Sequence, residues 1–104
     1  MSPEEFYLAS GDVEHWSLNT IDPNRTLVEQ VDELKEDLAQ IVYPVRGTRL
    51  DIGWYPEFAP TGHFTVSVIQ NDDWDKPLFS KSCESIADLR VLVKHAVLIA
   101  AGGE

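Results

Sequence analysis

TRLDIGWYPEFAPTGHFTVSVI, residues 48–69, decides the fold. Thr48 to Tyr55 alternates, with Leu50, Ile52 and Trp54 on one side, and Phe64 to Ile69 is β-branched and aromatic throughout. Both patterns predict strands, and their closeness in sequence predicts antiparallel neighbours. Residues 56–62 (PEFAPTG) form a connection stiffened by Pro56 and Pro60, longer than a tight hairpin. Downstream, Leu78 to Cys83 reads as a third, short strand near a sheet edge because Pro77 precedes it. Ser85-Ile86-Ala87-Asp88 then has the spacing of a helix N-terminus. The helix it opens should run to Gly102, with a broad apolar arc (Ile86, Leu89, Leu92, Val93, Ala96, Val97, Ile99, Ala100) and a second patch of Val91 and Leu98. That second patch calls for a cover, from elsewhere in the chain or from another chain.

Upstream, Leu27, Val31, Leu34, Leu38 and Ile41 recur at spacings of three and four, which predicts an amphipathic helix over Thr26 to Val42, with Asn24 as its cap and Tyr43-Pro44 as its stop. Its other side would carry Glu29, Asp32, Glu33, Glu36 and Asp37 with Lys35 as the single base, an almost purely negative face. Ser2-Pro3-Glu4-Glu5 predicts a short opening helix with Gly11 as a stop, and Glu14 to Ile21 a strand carrying Trp16 and Leu18 on one side. The expectation is one α+β domain over residues 1–104, with three or four antiparallel strands and two principal helices packed on one face.

Composition narrows the functional classes. Hydrophobic residues at 43% and charged residues at 25% are those of an ordinary globular domain. The longest apolar stretch, Ala96 to Ala101, is far below the roughly 20 residues of a membrane span. Eighteen acids against eight Lys plus Arg give a net charge of −10, which repels nucleic acid and anionic membranes and attracts basic partners. Cys83 is the single cysteine, so no intramolecular disulfide is expected, and MSPEEFYLAS lacks the basic start and apolar run of a secretory signal. The cytoplasm is the expected compartment.

Compact catalytic spacing is missing. His15, His63 and His95 lie in three segments, with no HxxxH, HxH or CxxC pattern, so neither zinc nor another cofactor is expected. Counting from Asp72, the sixth position is Pro77 and the twelfth is Cys83, which disfavours a calcium loop. A general-base role for His63 beside Asp51 or Glu57, in a pocket with Tyr55, is the alternative reading, that of a small enzyme or ligand-binding domain. The residues left over are NDDWDKPL, 71–78, where Asp72, Asp73 and Asp75 surround Trp74. Three acceptors around one flat apolar anchor suit the grip of Arg and Lys side chains on a partner. The competing reading makes Trp74 a lid on the sheet, with the aspartates capping the turn. With Glu57 and the acids Glu29, Glu33, Glu36 and Asp37, this connection completes the set of candidate partner-binding residues.

The run from Leu50 to Leu78 has an alternating strand ending in GWYP, an acidic proline-containing connection, a GHF second strand and a DWD-x-PL segment. In this it resembles small immunity proteins of bacterial polymorphic toxin systems, including contact-dependent growth inhibition. The resemblance implies a cytoplasmic antidote that binds the C-terminal domain of its cognate toxin, commonly a nuclease, and blocks the active site. Independently of the resemblance, the Val91 and Leu98 patch leaves a monomer or weak homodimer as the expected state.

Overall fold

The structure is a computed structural model, and it describes residues 1–102. Five strands, β1 (Asp12–Trp16), β2 (Ala39–Tyr43), β3 (Thr48–Tyr55), β4 (His63–Gln70) and β5 (Phe79–Cys83), form one antiparallel sheet in the order β1-β2-β3-β4-β5. One α-helix, α1 (Ile86–Ala100), packs over β3, β4 and β5. The inner sheet face carries Ile41, Leu50, Ile52, Trp54, Phe64, Val66 and Val68, all buried in one core with Leu89, Val93, Ala96 and Val97 of the helix. Trp54 and Phe64 are cross-strand partners whose rings meet edge-on at 5.0 Å.

β3 spans the residues its alternation predicts, β4 extends one residue beyond the prediction at each end, and β5 is an edge strand as Pro77 implies. Ser85 caps α1, its Oγ accepting the Asp88 N–H at 3.1 Å. The helix ends at Ala100, and Gly102 follows at φ +74°, the left-handed conformation in which glycine commonly ends helices. Val91 and Leu98 are about half exposed, so α1 is less buried than its sequence suggests.

The helix predicted over residues 26–42 does not form. Val28–Glu33 is a short 3-10 segment broken at Gln30 (φ −126°, ψ 33°), and Ala39–Tyr43 is the second strand of the sheet. A single long helix is therefore replaced by an extra strand, giving five strands and one principal helix. Three physical reasons combine. A helix would set Glu29 against Glu33, Asp32 against Glu36 and Glu33 against Asp37, like charges at i,i+4 that repel. Gln30 is buried and its side chain holds the loop, accepting from Asp22 N–H (2.7 Å) and donating to the carbonyls of Asp22, Arg25 and Thr26 at 2.8, 3.3 and 3.2 Å. Ala39, Ile41 and Tyr43 are buried while Gln40 and Val42 are not, a period of two that β3 completes by pairing. Leu34, Leu38 and Ile41 still reach the core, with Leu27 and Val31 partly buried against it. Asn24 is no helix cap; its N–H donates to Asp22 Oδ1 in a turn, and Thr26 with Glu29 forms the capping pair instead.

At the N-terminus the opening helix is one 3-10 turn, Pro3–Glu5. The strand predicted over 14–21 lies over 12–16 and gives way to a second 3-10 turn at Leu18–Thr20. Trp16 stays useful to the fold: its indole donates to the Met1 carbonyl at 2.8 Å and its ring meets Phe6 edge-on at 5.6 Å.

Candidate interaction surface

No helix covers the outer face of the sheet, although Asp51 and Ile69 are buried on it, and strand alternation decides what lies there. One row across all five strands reads His15, Gln40, Asp51, Ser67 and Ser80. Gln40 donates from Nε2 to Asp51 Oδ1 at 3.1 Å and accepts from Arg49 at 3.1 Å, and Arg49 also pairs with Glu14 at 2.6 Å. Towards β5 the face becomes a ladder of hydroxyls, with Ser67 to Ser80 at 3.1 Å and Thr65 to Ser82 at 3.0 Å. His63 and Tyr55 form a cross-strand pair on the same side.

At one end of this face, residues 34–38 fold across the sheet. Trp54 N–H donates to the Lys35 carbonyl (2.8 Å) and Leu38 N–H to the Ile52 carbonyl (3.0 Å), so the Glu36 peptide bulges over Gly53. A Cβ on Gly53 would lie 2.0 Å from the Glu36 carbonyl oxygen, and only glycine leaves that space. The 56–62 connection closes on the same place: Phe58 N–H donates to the Leu34 carbonyl, and the Glu57 carboxylate accepts the Glu36 N–H at 3.2 Å. Glu36 and Asp37, some twenty residues from Glu57 in sequence, thus share one end of the sheet with it and with Asp51 and Tyr55. The electrostatics agree, since the Tyr55 phenol is pushed up by burial and then by the charges of Asp51, Glu36 and Asp37. His15 Nε2 lies 3.0 Å from the Asp37 carbonyl and 3.0 Å from Ser17 Oγ.

The other predicted acids lie elsewhere. Glu29 closes its own turn, its carboxylate accepting from Thr26 N–H (3.0 Å) and Oγ1 (2.9 Å); those bonds to Thr26 hold its pKa below the ordinary value. Glu33 is half-buried at the end of the 3-10 segment. Asp72, Asp73, Trp74 and Asp75 lie between β4 and β5 at the opposite end of the sheet, about seven strand residues or ~23 Å from Tyr55. Asn71 and Asp72 have φ of 54° and 58° with Asp73 N–H bonded to the Gln70 carbonyl, a type I′ turn, and Asp73 Oδ1 accepts the Asp75 N–H. Asp72 and Asp73 therefore serve the turn, as the competing reading has it. Trp74 is 52% exposed and outside the core.

The sequence reading passed over Gln40, Arg49, Glu14 and His15. The signal was present in TRLDIGWY, whose alternation places Arg49, Asp51, Gly53 and Tyr55 opposite Leu50, Ile52 and Trp54. A polar row on a central strand marks a sheet face without a helix on it. Among the described residues no group of three or more His, Cys, Asp or Glu side chains is placed to hold a metal ion, and no helix is long and apolar enough to cross a membrane.

Asp51 is 6% exposed, and burial holds its carboxyl above the ordinary value of 3.8; Gln40 opposes the shift, Asp37 adds to it, and Arg49 and His15 oppose it. The folded state then binds this proton more tightly than the unfolded chain. Its stabilising contribution is complete below the unfolded pKa and is lost as pH rises through the folded one. Asp51→Asn keeps an acceptor for Gln40 and removes the buried charge. The variant should be more stable than the parent at pH 7, with the gain shrinking towards zero as pH falls to about 4. Urea denaturation of both proteins from pH 4 to 8 checks this, and a gain independent of pH would contradict it.

Comparison of the chain with protein-family models, curated proteins and solved structures finds no match.

Proposed function

We propose that this protein is a toxin-neutralising immunity protein, a cytoplasmic antidote that binds the C-terminal domain of a cognate bacterial toxin, in our reading a nuclease, and occludes its basic active site. The observation that carries the reading is the gathering of Glu36, Asp37 and Glu57 on an open sheet face where none has a cationic side chain as partner among the described residues. A nuclease must hold its substrate in a basic cleft, and uncompensated carboxylates can take the place of phosphates there. The half-exposed Trp74 with Asp75 offers a second contact of aromatic and acidic character. Inhibition is steric and electrostatic, with no catalytic step.

The pairing of His63 with Tyr55 on the face that holds Asp51 is what favours the alternative, a small enzyme or ligand-binding domain. One experiment separates the two. Coexpression with its cognate basic toxin domain should rescue growth from that toxin and leave unrelated toxins lethal, because charge and anchor must match. His63→Ala should rescue as well as the parent. Rescue lost in His63→Ala with its fold intact, or no rescue at all, would overturn the proposal.

A further inference from the structure

On the helix side of the molecule, away from the acidic surfaces, a groove of about 270 Å³ runs between the N-terminal segment and α1. Its walls are Phe6, Tyr7, Val93, Val97 and Leu98, and the polar groups along it are Glu5, Arg90 and Lys94. Tyr7 is 81% and Leu98 46% exposed, so apolar surface here meets water. Arg90 braces one wall, bonding to Glu5 Oε1 at 3.2 Å with its guanidinium 5.3 Å from the centre of the Phe6 ring. Lys94, one turn further along, is exposed and has no ion-pair partner among the described residues. In a chain of net charge −10, this groove places two of the eight basic side chains beside an apolar floor.

The volume lies just below the roughly 300–1,000 Å³ typical of small-molecule clefts, too small for a docked helix. We propose that this groove binds a small amphipathic carboxylate, its aliphatic chain against Phe6, Tyr7 and Leu98, with Val93 and Val97 buried beneath them, and its head at Lys94. Charge complementarity selects the head group, and the apolar walls select the chain. Val91 takes no part; it lines a separate depression between α1 and β5.

The test is titration with decanoate below its micelle concentration, followed by calorimetry and by amide chemical shifts. Saturable binding should move signals of Phe6, Tyr7 and residues 90–98. Decyltrimethylammonium, with the same chain and opposite charge, should bind at least about tenfold more weakly, the loss expected for one charge-assisted contact. Lys94→Glu should weaken decanoate by a similar factor, whereas Lys81→Glu on β5 should leave it unchanged. Both lysines are exposed, so neither change threatens the fold. Equal binding of the two amphiphiles, an unaffected Lys94→Glu, or sedimentation showing the groove closed by a second copy of the chain would each overturn the assignment.

Discussion

Gly53→Ala should destabilise the domain by about 2–4 kcal/mol, the largest loss expected of any single added methyl group here. The new Cβ would meet the Glu36 carbonyl oxygen at 2.0 Å, a backbone atom that cannot rotate aside. Hydrogen bonds from Trp54 to Lys35 and from Leu38 to Ile52 pin the bulge on either side, and Leu34 and Leu38 at its ends are fully buried. Relief requires lifting residues 34–38 off β3, which breaks both bonds and exposes both leucines. For a domain of this size the midpoint of thermal unfolding should fall by ~10 °C or more. Urea and thermal denaturation measure the effect, and a loss below about 0.5 kcal/mol would show that the bulge moves freely. Any stable fraction of Gly53→Ala should also bind the proposed toxin partner poorly, because Glu36 and Asp37 would have moved.

If the proposed toxin complex forms, Trp74→Ala should raise its off-rate about 30-fold, the equivalent of ~2 kcal/mol, while leaving the unbound protein folded. An aromatic ring 52% exposed and outside the core contributes little to folding but much to an interface that desolvates it. Glu33→Gln combined with Glu36→Gln should behave differently, slowing association and flattening its salt dependence, since carboxylates that reach solvent, Glu36 fully and Glu33 in part, steer encounter more than they hold the complex. The two ends of the sheet are ~23 Å apart, so a partner touching both must span most of the β2–β4 face. Surface plasmon resonance at two salt concentrations resolves the rates, and circular dichroism of each free variant controls for folding. An off-rate unchanged by Trp74→Ala would remove the 71–78 connection from the interface and leave the Gly53 end as the single candidate.

These outcomes depend differently on what was legible in the chain. Trp74 and its aspartates stand together in sequence, so that they share one connection could be anticipated, but only the structure shows the indole half exposed instead of lying as a lid on the sheet. The type I′ turn that employs Asp72 and Asp73 could not be separated from partner binding, because the same short side chains favour both. The meeting of Glu36, Asp37 and Glu57 could not be read at all. Sequence spacing placed the first two on a helix face with Glu29 and Glu33, whereas Glu36 belongs to a bulge whose neighbours are Gly53 and the 56–62 connection.

By itself the sequence determined β3, β4, β5 and α1, because each carries its own periodicity and punctuation: alternation in TRLDIGWY, a β-branched run in FTVSVI, proline before Phe79, and a serine cap before Ile86. Only the tertiary structure decided residues 26–43. Five apolar residues spaced by three and four satisfy a helix, yet they satisfy equally a folded loop followed by a strand, since Leu34, Leu38 and Ile41 are buried in either arrangement. What selects between them lies elsewhere in the chain, in the unsatisfied edge of β3 that pairs with Ala39 to Tyr43 and in the carbonyls that receive the Gln30 amide. A helix there would leave that edge unpaired and gather like charges at i,i+4, and long-range pairing overrides a local period that is ambiguous.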